Sequence, residues 1–113
     1  MRNTTYKAIN AADGTTDPAS AWIPATQLFA FAASGKAGGT LAGTLKVQVS
    51  MDPLNTPQAS IVGYDLSGAT VTLGAGAGGI IPSQVSAYNW VRLVFSHSGG
   101  AGAFAAEFVG SGF

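Results

Sequence analysis

The chain has 113 residues, five Lys or Arg against five Asp or Glu for a formal net charge of zero, one His and no Cys. That length fits one domain burying a little over about 60% of its unfolded surface, so a core needs neither metal nor disulfide. The missing cysteines exclude disulfide frameworks, thiolate nucleophiles and sulfur-ligated zinc. Charged residues make up 9% of the chain, against about 25% in an average soluble domain, and leave little electrostatic protection against association. Ala, Gly, Ser and Thr stand where Lys and Glu usually sit. Such a surface suits a protein covered by neighbours, the plainer alternative being the low-complexity exterior of a secreted protein. No apolar run reaches the roughly 18 residues of a membrane span, and Met1-Arg2-Asn3-Thr4-Thr5 lacks the apolar stretch of a signal peptide. Arg2, Lys7, Lys36, Lys46 and Arg92 are scattered, so neither nucleic acid nor membrane is an expected partner.

In chain order, Thr5 to Ala11 reads as a strand, followed by a short piece around Ala21 to Ile23. Ala30 to Ala33 is Ala-rich, yet Phe29, Phe31 and Ala33 alternate with small residues and Gly35 follows, which favours a strand over a helix. Thr44 to Met51 alternates cleanly: Leu45, Val47, Val49 and Met51 on one face, Thr44, Lys46, Gln48 and Ser50 on the other. Asp52-Pro53 ends it. Ser60 to Leu66 and Ala69 to Leu73 read as two strands, with Ser67-Gly68 as a hairpin turn between them. Gly74-Ala75-Gly76-Ala77-Gly78-Gly79 is too long for a tight turn and reads as a loop tip or as small residues packed against another chain.

Tyr88 to Ser96 is the second well-marked strand. Val91, Leu93 and Phe95 face the core, and Arg92 on the other side lies against Trp90 or a neighbouring ring. After Ser98-Gly99-Gly100, a last strand alternates Phe104, Ala106 and Phe108 with Ala103, Ala105, Glu107 and Val109, and is expected to pair antiparallel with the strand before it. Seven or so short strands between glycine turns predict an all-β chain, an antiparallel β-sandwich or jelly-roll-like single domain over residues 1–113. Residues 1–20 are readable as an extended N-terminal arm. A closed barrel is the main alternative.

Chemistry is sparse. His97 is the only histidine and reads as a solvated turn position. A catalytic serine needs it as base with a carboxylate behind it. Asp13, Asp17, Asp52 and Asp65 are available, but no Gly-x-Ser-x-Gly elbow is present. Asp13-Gly14, Asp17-Pro18 and Asp52-Pro53 are turn formers, and Glu107 is expected to reach Arg92 or Lys46 across the sheet. One histidine and dispersed carboxylates make a poor zinc site. Asp13-Gly14-Thr15-Thr16-Asp17 lacks the ligand density of a calcium loop, and no glycine-rich loop leads from a strand into Gly-Lys-Ser/Thr and a helix. No catalytic residue, metal or cofactor is expected, and Asp65 or Glu107 would have to carry any hydrolase reading. The aromatics Trp22, Phe29, Phe31, Tyr64, Tyr88 and Trp90 fit either a core or an exposed contact surface. Trp22, Phe29, Trp90 and the terminal Phe113 are the candidate partner contacts.

Gly39-Thr40-Leu41-Ala42-Gly43-Thr44-Leu45-Lys46-Val47-Gln48-Val49-Ser50-Met51-Asp52-Pro53, taken with Tyr88-Asn89-Trp90-Val91-Arg92-Leu93-Val94-Phe95 and Gly102-Ala103-Phe104-Ala105-Ala106-Glu107-Phe108, resembles small β-sandwich proteins of tailed-phage virions and, more loosely, discoidin-like jelly rolls. The likeness covers residues 39–110 or so. It implies a virion component on the capsid or tail surface. One form is a capsid decoration (cement) protein bridging major capsid subunits, with a trimer as the guessed homo-oligomer. The other is a tail, collar or fibre module binding a host-surface glycan or another virion protein. In the looser pattern an Asn often precedes the aspartate, where this chain has Met51, a departure that weakens the carry-over of a loop ligand role to Asp52. The resemblance supplies no catalytic residue.

Overall fold

Alternation of apolar and small or polar residues is the organising signal, and the computed structural model, which describes residues 2–25, 28–85 and 88–112, turns it into paired strands. These are β1 (Arg2–Asp13), β2 (Ile23–Pro24), β3 (Leu28–Ala37), β4 (Ala42–Ser50), β5 (Tyr64–Leu73), β6 (Gly78–Val85), β7 (Trp90–Gly99) and β8 (Ala103–Gly112). Single 3-10 turns at Gly14–Thr16 and Gln58–Ser60 interrupt the connections.

Antiparallel pairs join first strand to last: β1 with β8, β2 with β7, β3 with β6 and β4 with β5. This ribbon is folded over so that β8 also pairs with β3 and β7 with β4. The result is two four-stranded sheets among the described residues, β1-β8-β3-β6 and β2-β7-β4-β5, stacked as an all-β sandwich with jelly-roll strand order. The inward sides of both sheets supply the core. Phe31, Ala33, Phe104 and Phe108 come from one sheet, Leu45, Val47, Val91, Leu93 and Phe95 from the other, all buried. Two stacked sheets, not a closed barrel, solve the burial problem.

Several local expectations change. β7 and β8 do not pair: they lie in different sheets, and the glycine-rich link between them crosses the sandwich. Gly100 makes that crossing at φ +66°, where an added Cβ would run into the Thr40 carbonyl oxygen. The turn is pinned there by Thr40 N–H donating to Ala101 O (3.1 Å) and Ala101 N–H donating to Thr40 Oγ1 (3.2 Å). Because Glu107 therefore sits in the sheet opposite Lys46 and Arg92, the expected link between them does not form.

Ser67-Gly68 is not a hairpin turn. β5 runs through it, with Lys46 opposite Thr70 and Gln48 opposite Asp65, so residues 66–69 bulge opposite Val47 alone. Ala69 is thereby driven into the core. The 74–79 glycine stretch holds a tight turn after all: Ala77 N–H donates to Gly74 O at 3.0 Å with Gly76 at φ +66°. Gly78 and Gly79, expected in the loop, already belong to β6. Pro82 is accommodated because β6 is a sheet edge.

Candidate functional site

The longest connection, residues 51–63 between β4 and β5, is also the most firmly tied. At its base Asp52 N–H donates to Ser50 Oγ (3.1 Å), and Asp52 Oδ2 accepts from Val62 N–H at 2.7 Å, closing the loop on itself. The Trp90 indole N–H and the Asn89 amide both donate to Asp52 O at 3.1 Å. Farther out, Gln58 clamps the backbone of Trp22: its Oε1 accepts from Trp22 N–H at 2.8 Å and its Nε2 donates to Trp22 O at 3.0 Å. Gly63 lies so close to the Trp22 ring that any side chain there would collide with it.

Trp22 is reached because residues 18–25 run along β7. Phe95 N–H donates to Pro18 O at 2.9 Å, Ser20 and Leu93 exchange hydrogen bonds, and Ile23 pairs with Val91. Both tryptophans are thus inside the protein, Trp22 at 5% and Trp90 at 6% exposure. Phe29 is on β3 with its side chain outside the described residues, as is Phe113 altogether. The apolar side chains this region does present are Met51 (65% exposed), Leu54 (50%), Val62 (59%) and Tyr64 (69%). Of these, Tyr64 is among the aromatics read as core or contact, while Met51 is expected on the apolar face of the Thr44–Met51 strand; β4 instead ends at Ser50 and Met51 is left outside. The available signal for the others was a Pro-rich connection that nevertheless carries Met, Leu and Val.

Beside the loop, a row of side chains crosses the outer face of the β2-β7-β4-β5 sheet. The Arg92 guanidinium lies 4.5 Å from the Trp22 ring centre, and Arg92 Nε donates to Gln48 Oε1 at 2.8 Å. Gln48 Nε2 donates to Asp65 Oδ1 at 2.9 Å, and Lys46 Nζ meets Asp65 Oδ2 at 3.3 Å. The Gln48 amide first, and Lys46 second, hold the Asp65 carboxyl below its ordinary value. Cross-strand register produces the row: Gln48 is opposite both Asp65 and Arg92.

The remaining polar candidates are spent on turns. Asp13 caps the first 3-10 turn, and the Thr15 backbone N–H and hydroxyl it accepts lower its pKa, in that order. Asp17 accepts from His97 N–H at 2.8 Å. His97 lies on β7, not in the turn beyond it, and its Nε2 faces Gly100 O at 2.7 Å, which requires that nitrogen to carry the proton. Among the described residues no three His, Cys, Asp or Glu side chains gather into a metal site.

No protein-family model matches the chain, and no curated protein matches it. In fold it is similar to the SPBc2 prophage-derived protein YomS, with a TM-score of 0.57 and 10% identity over 96% of this chain and 92% of that one. The PBSX exported protein XepA gives a TM-score of 0.70 and 13% identity, the match covering 97% of this chain but 37% of XepA. PirA gives 0.56 and 11%, covering 95% and 92%. At such identities the likeness is one of fold: the chain shares its two-sheet architecture with small β-rich proteins that include phage-derived ones.

Proposed function

We propose that the protein is a virion structural component that acts by burying surface against larger subunits, most specifically as a capsid decoration (cement) protein on the major capsid protein. The observation that carries this reading is the display of Met51, Leu54 and Val62 on a connection tied down through Asp52 and Gln58, with Tyr64 beside it at the start of β5. A rigid loop with exposed apolar side chains loses little entropy on docking and gains their burial, about 1.5–3 kcal/mol for each large side chain fully covered. Low charge removes the desolvation cost of such a contact, and repetition over many copies, as trimers in our reading, multiplies modest areas into a strong net effect. The fold likeness to phage-derived proteins supports the same direction. No catalytic role is part of this function.

A second reading is a tail, collar or fibre module binding a host glycan or another virion protein. What favours it is that the fold corresponds to 37% of XepA, so the same architecture also occurs as one part of a longer chain. One experiment separates the two: phage particles lacking the protein, or carrying the M51S/V62S variant. A cement role predicts assembled particles that release their DNA at lower temperature and in low salt while adsorbing normally. Particles of unchanged heat tolerance that no longer adsorb to cells would replace it with the receptor-binding role.

A further inference from the structure

Nearly every charged side chain among the described residues has an internal partner. Lys46 and Asp65 pair, Arg92 is held by Gln48 and Trp22, and the carboxylates of Asp13, Asp17 and Asp52 accept backbone N–H groups. Leaving aside Arg2, whose side chain lies outside what is described, the exceptions are Lys7, Lys36 and Glu107, and all three line one depression on the outer face of the β1-β8-β3-β6 sheet. Register places them there. Lys7 on β1 is opposite Glu107 on β8, Glu107 is opposite Ser34 on β3, and Lys36 is opposite Ala105 one step along. No ion pair joins them.

The depression has a volume of about 250 Å³, with Asn10 and Ser34 completing a polar rim. Its floor is Gly35, Ala105 and Ala106, and it runs on past Lys36 into a shallower hollow of about 170 Å³ over Ala103. One wall is made by the irregular part of β1, where the register slips between Lys7 and Ile9 and again before Ala12, with Ala11 at φ 51°. The site thus has a flat, small-residue floor on a rigid sheet. Five hydrogen-bonding side chains surround it, carrying two positive charges and one negative.

We propose that this groove binds an acidic saccharide. Lys7 and Lys36 would hold its carboxylate or phosphate, and Glu107, Ser34 and Asn10 would hydrogen-bond its hydroxyls. The volume is just below the usual range of ligand clefts, about 300–1,000 Å³, and suits one or two sugar rings lying on the Ala/Gly floor. A peptide is disfavoured because it would need a regular strand edge or apolar side-chain pockets, whereas the floor belongs to the interior strands β8 and β3 and the edge strand β1 is irregular where it walls the groove. Two lysines are too few for a nucleic-acid track. The site lies on the sheet opposite the 51–63 loop and stands apart from the virion reading.

The test is titration of ¹⁵N-labelled protein, followed by the amide resonances, with trigalacturonate, glucose 6-phosphate, maltotriose and hexaglutamate. Saturable shifts confined to Lys7, Ser34–Lys36 and Ala105–Glu107 are expected with at least one of the two anionic sugars, which also separates carboxylate from phosphate as the recognised group. The K7Q/K36Q variant should weaken that binding at least tenfold. Both lysines are exposed and unpaired, so its otherwise unchanged spectrum would confirm an intact fold. Absence of saturation with both anionic sugars would overturn the proposal. So would equal response to maltotriose, tighter binding of hexaglutamate at the same amides, or undiminished binding by K7Q/K36Q.

Discussion

Phe95 and Phe104 stack face to face, ring centres 4.2 Å apart and planes at 22°. They sit in consecutive strands but in different sheets, so this pair joins the two layers directly across the core. Both rings are fully buried. Coupling between them follows: in a double-mutant cycle with Phe95→Leu and Phe104→Leu, the stack should appear as an interaction of about 0.5–1.5 kcal/mol. Urea unfolding measures it, and strictly additive losses would show that the rings merely fill volume.

Gly35 on β3 lies beneath the same cluster. A Cβ added there would stand 2.8 Å from Leu45 Cδ2 and 2.9 Å from Phe104 Cζ. Relieving backbone entropy favours Gly35→Ala by about 0.4–1 kcal/mol, while overpacking opposes it by about 1–3 kcal/mol. Net destabilisation is therefore expected, and a higher urea midpoint for the variant would contradict the packing described.

Gln58 makes two hydrogen bonds to the backbone of Trp22, 36 residues away in sequence. Gln58→Ala should cost about 1–2 kcal/mol, the net worth of two such bonds, and loosen the 51–63 loop locally. Hydrogen exchange at the Trp22 amide should quicken and tryptophan emission should shift to the red. Gln58→Glu keeps the acceptor for Trp22 N–H but loses the donor, and an intermediate effect is expected.

Asp65 has its pKa lowered by Gln48 and then Lys46. A depressed folded value means the unfolded chain takes up the proton first. The stabilisation is thus complete well above the ordinary carboxylate value of 3.8 and disappears as pH falls through the lower folded value. Asp65 is more than half exposed, so the effect is modest. The wild-type melting temperature should exceed that of Asp65→Asn at pH 6, and the two curves should converge as pH falls through the lowered folded value. A gap that persists at low pH would assign the difference to something other than this charge.

The strands at Thr44–Met51 and Tyr88–Ser96 were legible because one face of each is apolar at every second residue, and β4 and β7 emerge as neighbours in one sheet. The turn roles of Asp13 and Asp52 were legible for the same local reason: their side chains satisfy backbone groups only a few residues or one loop away. Not legible were the bulge at residues 66–69, the sheet crossing at Gly100 and strand β6. Glycine permits a turn, a bulge and a close-packed strand alike, and only the atoms above it choose among them. At Gly79 those atoms are Leu73 and Val71, whose methyl groups would lie within 3 Å of an added Cβ.

The candidate surfaces divide in the same way. Alternation alone placed Arg92 opposite the core and Glu107 away from Phe104 and Phe108. It could not say that Arg92 lies over Trp22 while Glu107 occupies the other sheet beside Lys7. Nor could it say that the tryptophans are covered, since Trp22 is buried by a loop from the far end of β4. The sequence by itself determined an all-β chain of low charge, with two well-marked strands. Only the tertiary structure decided which strands are neighbours, which charges are paired and which apolar side chains are left outside. Periodicity is a property of each strand alone, whereas register and cover depend on contacts between residues distant in the chain.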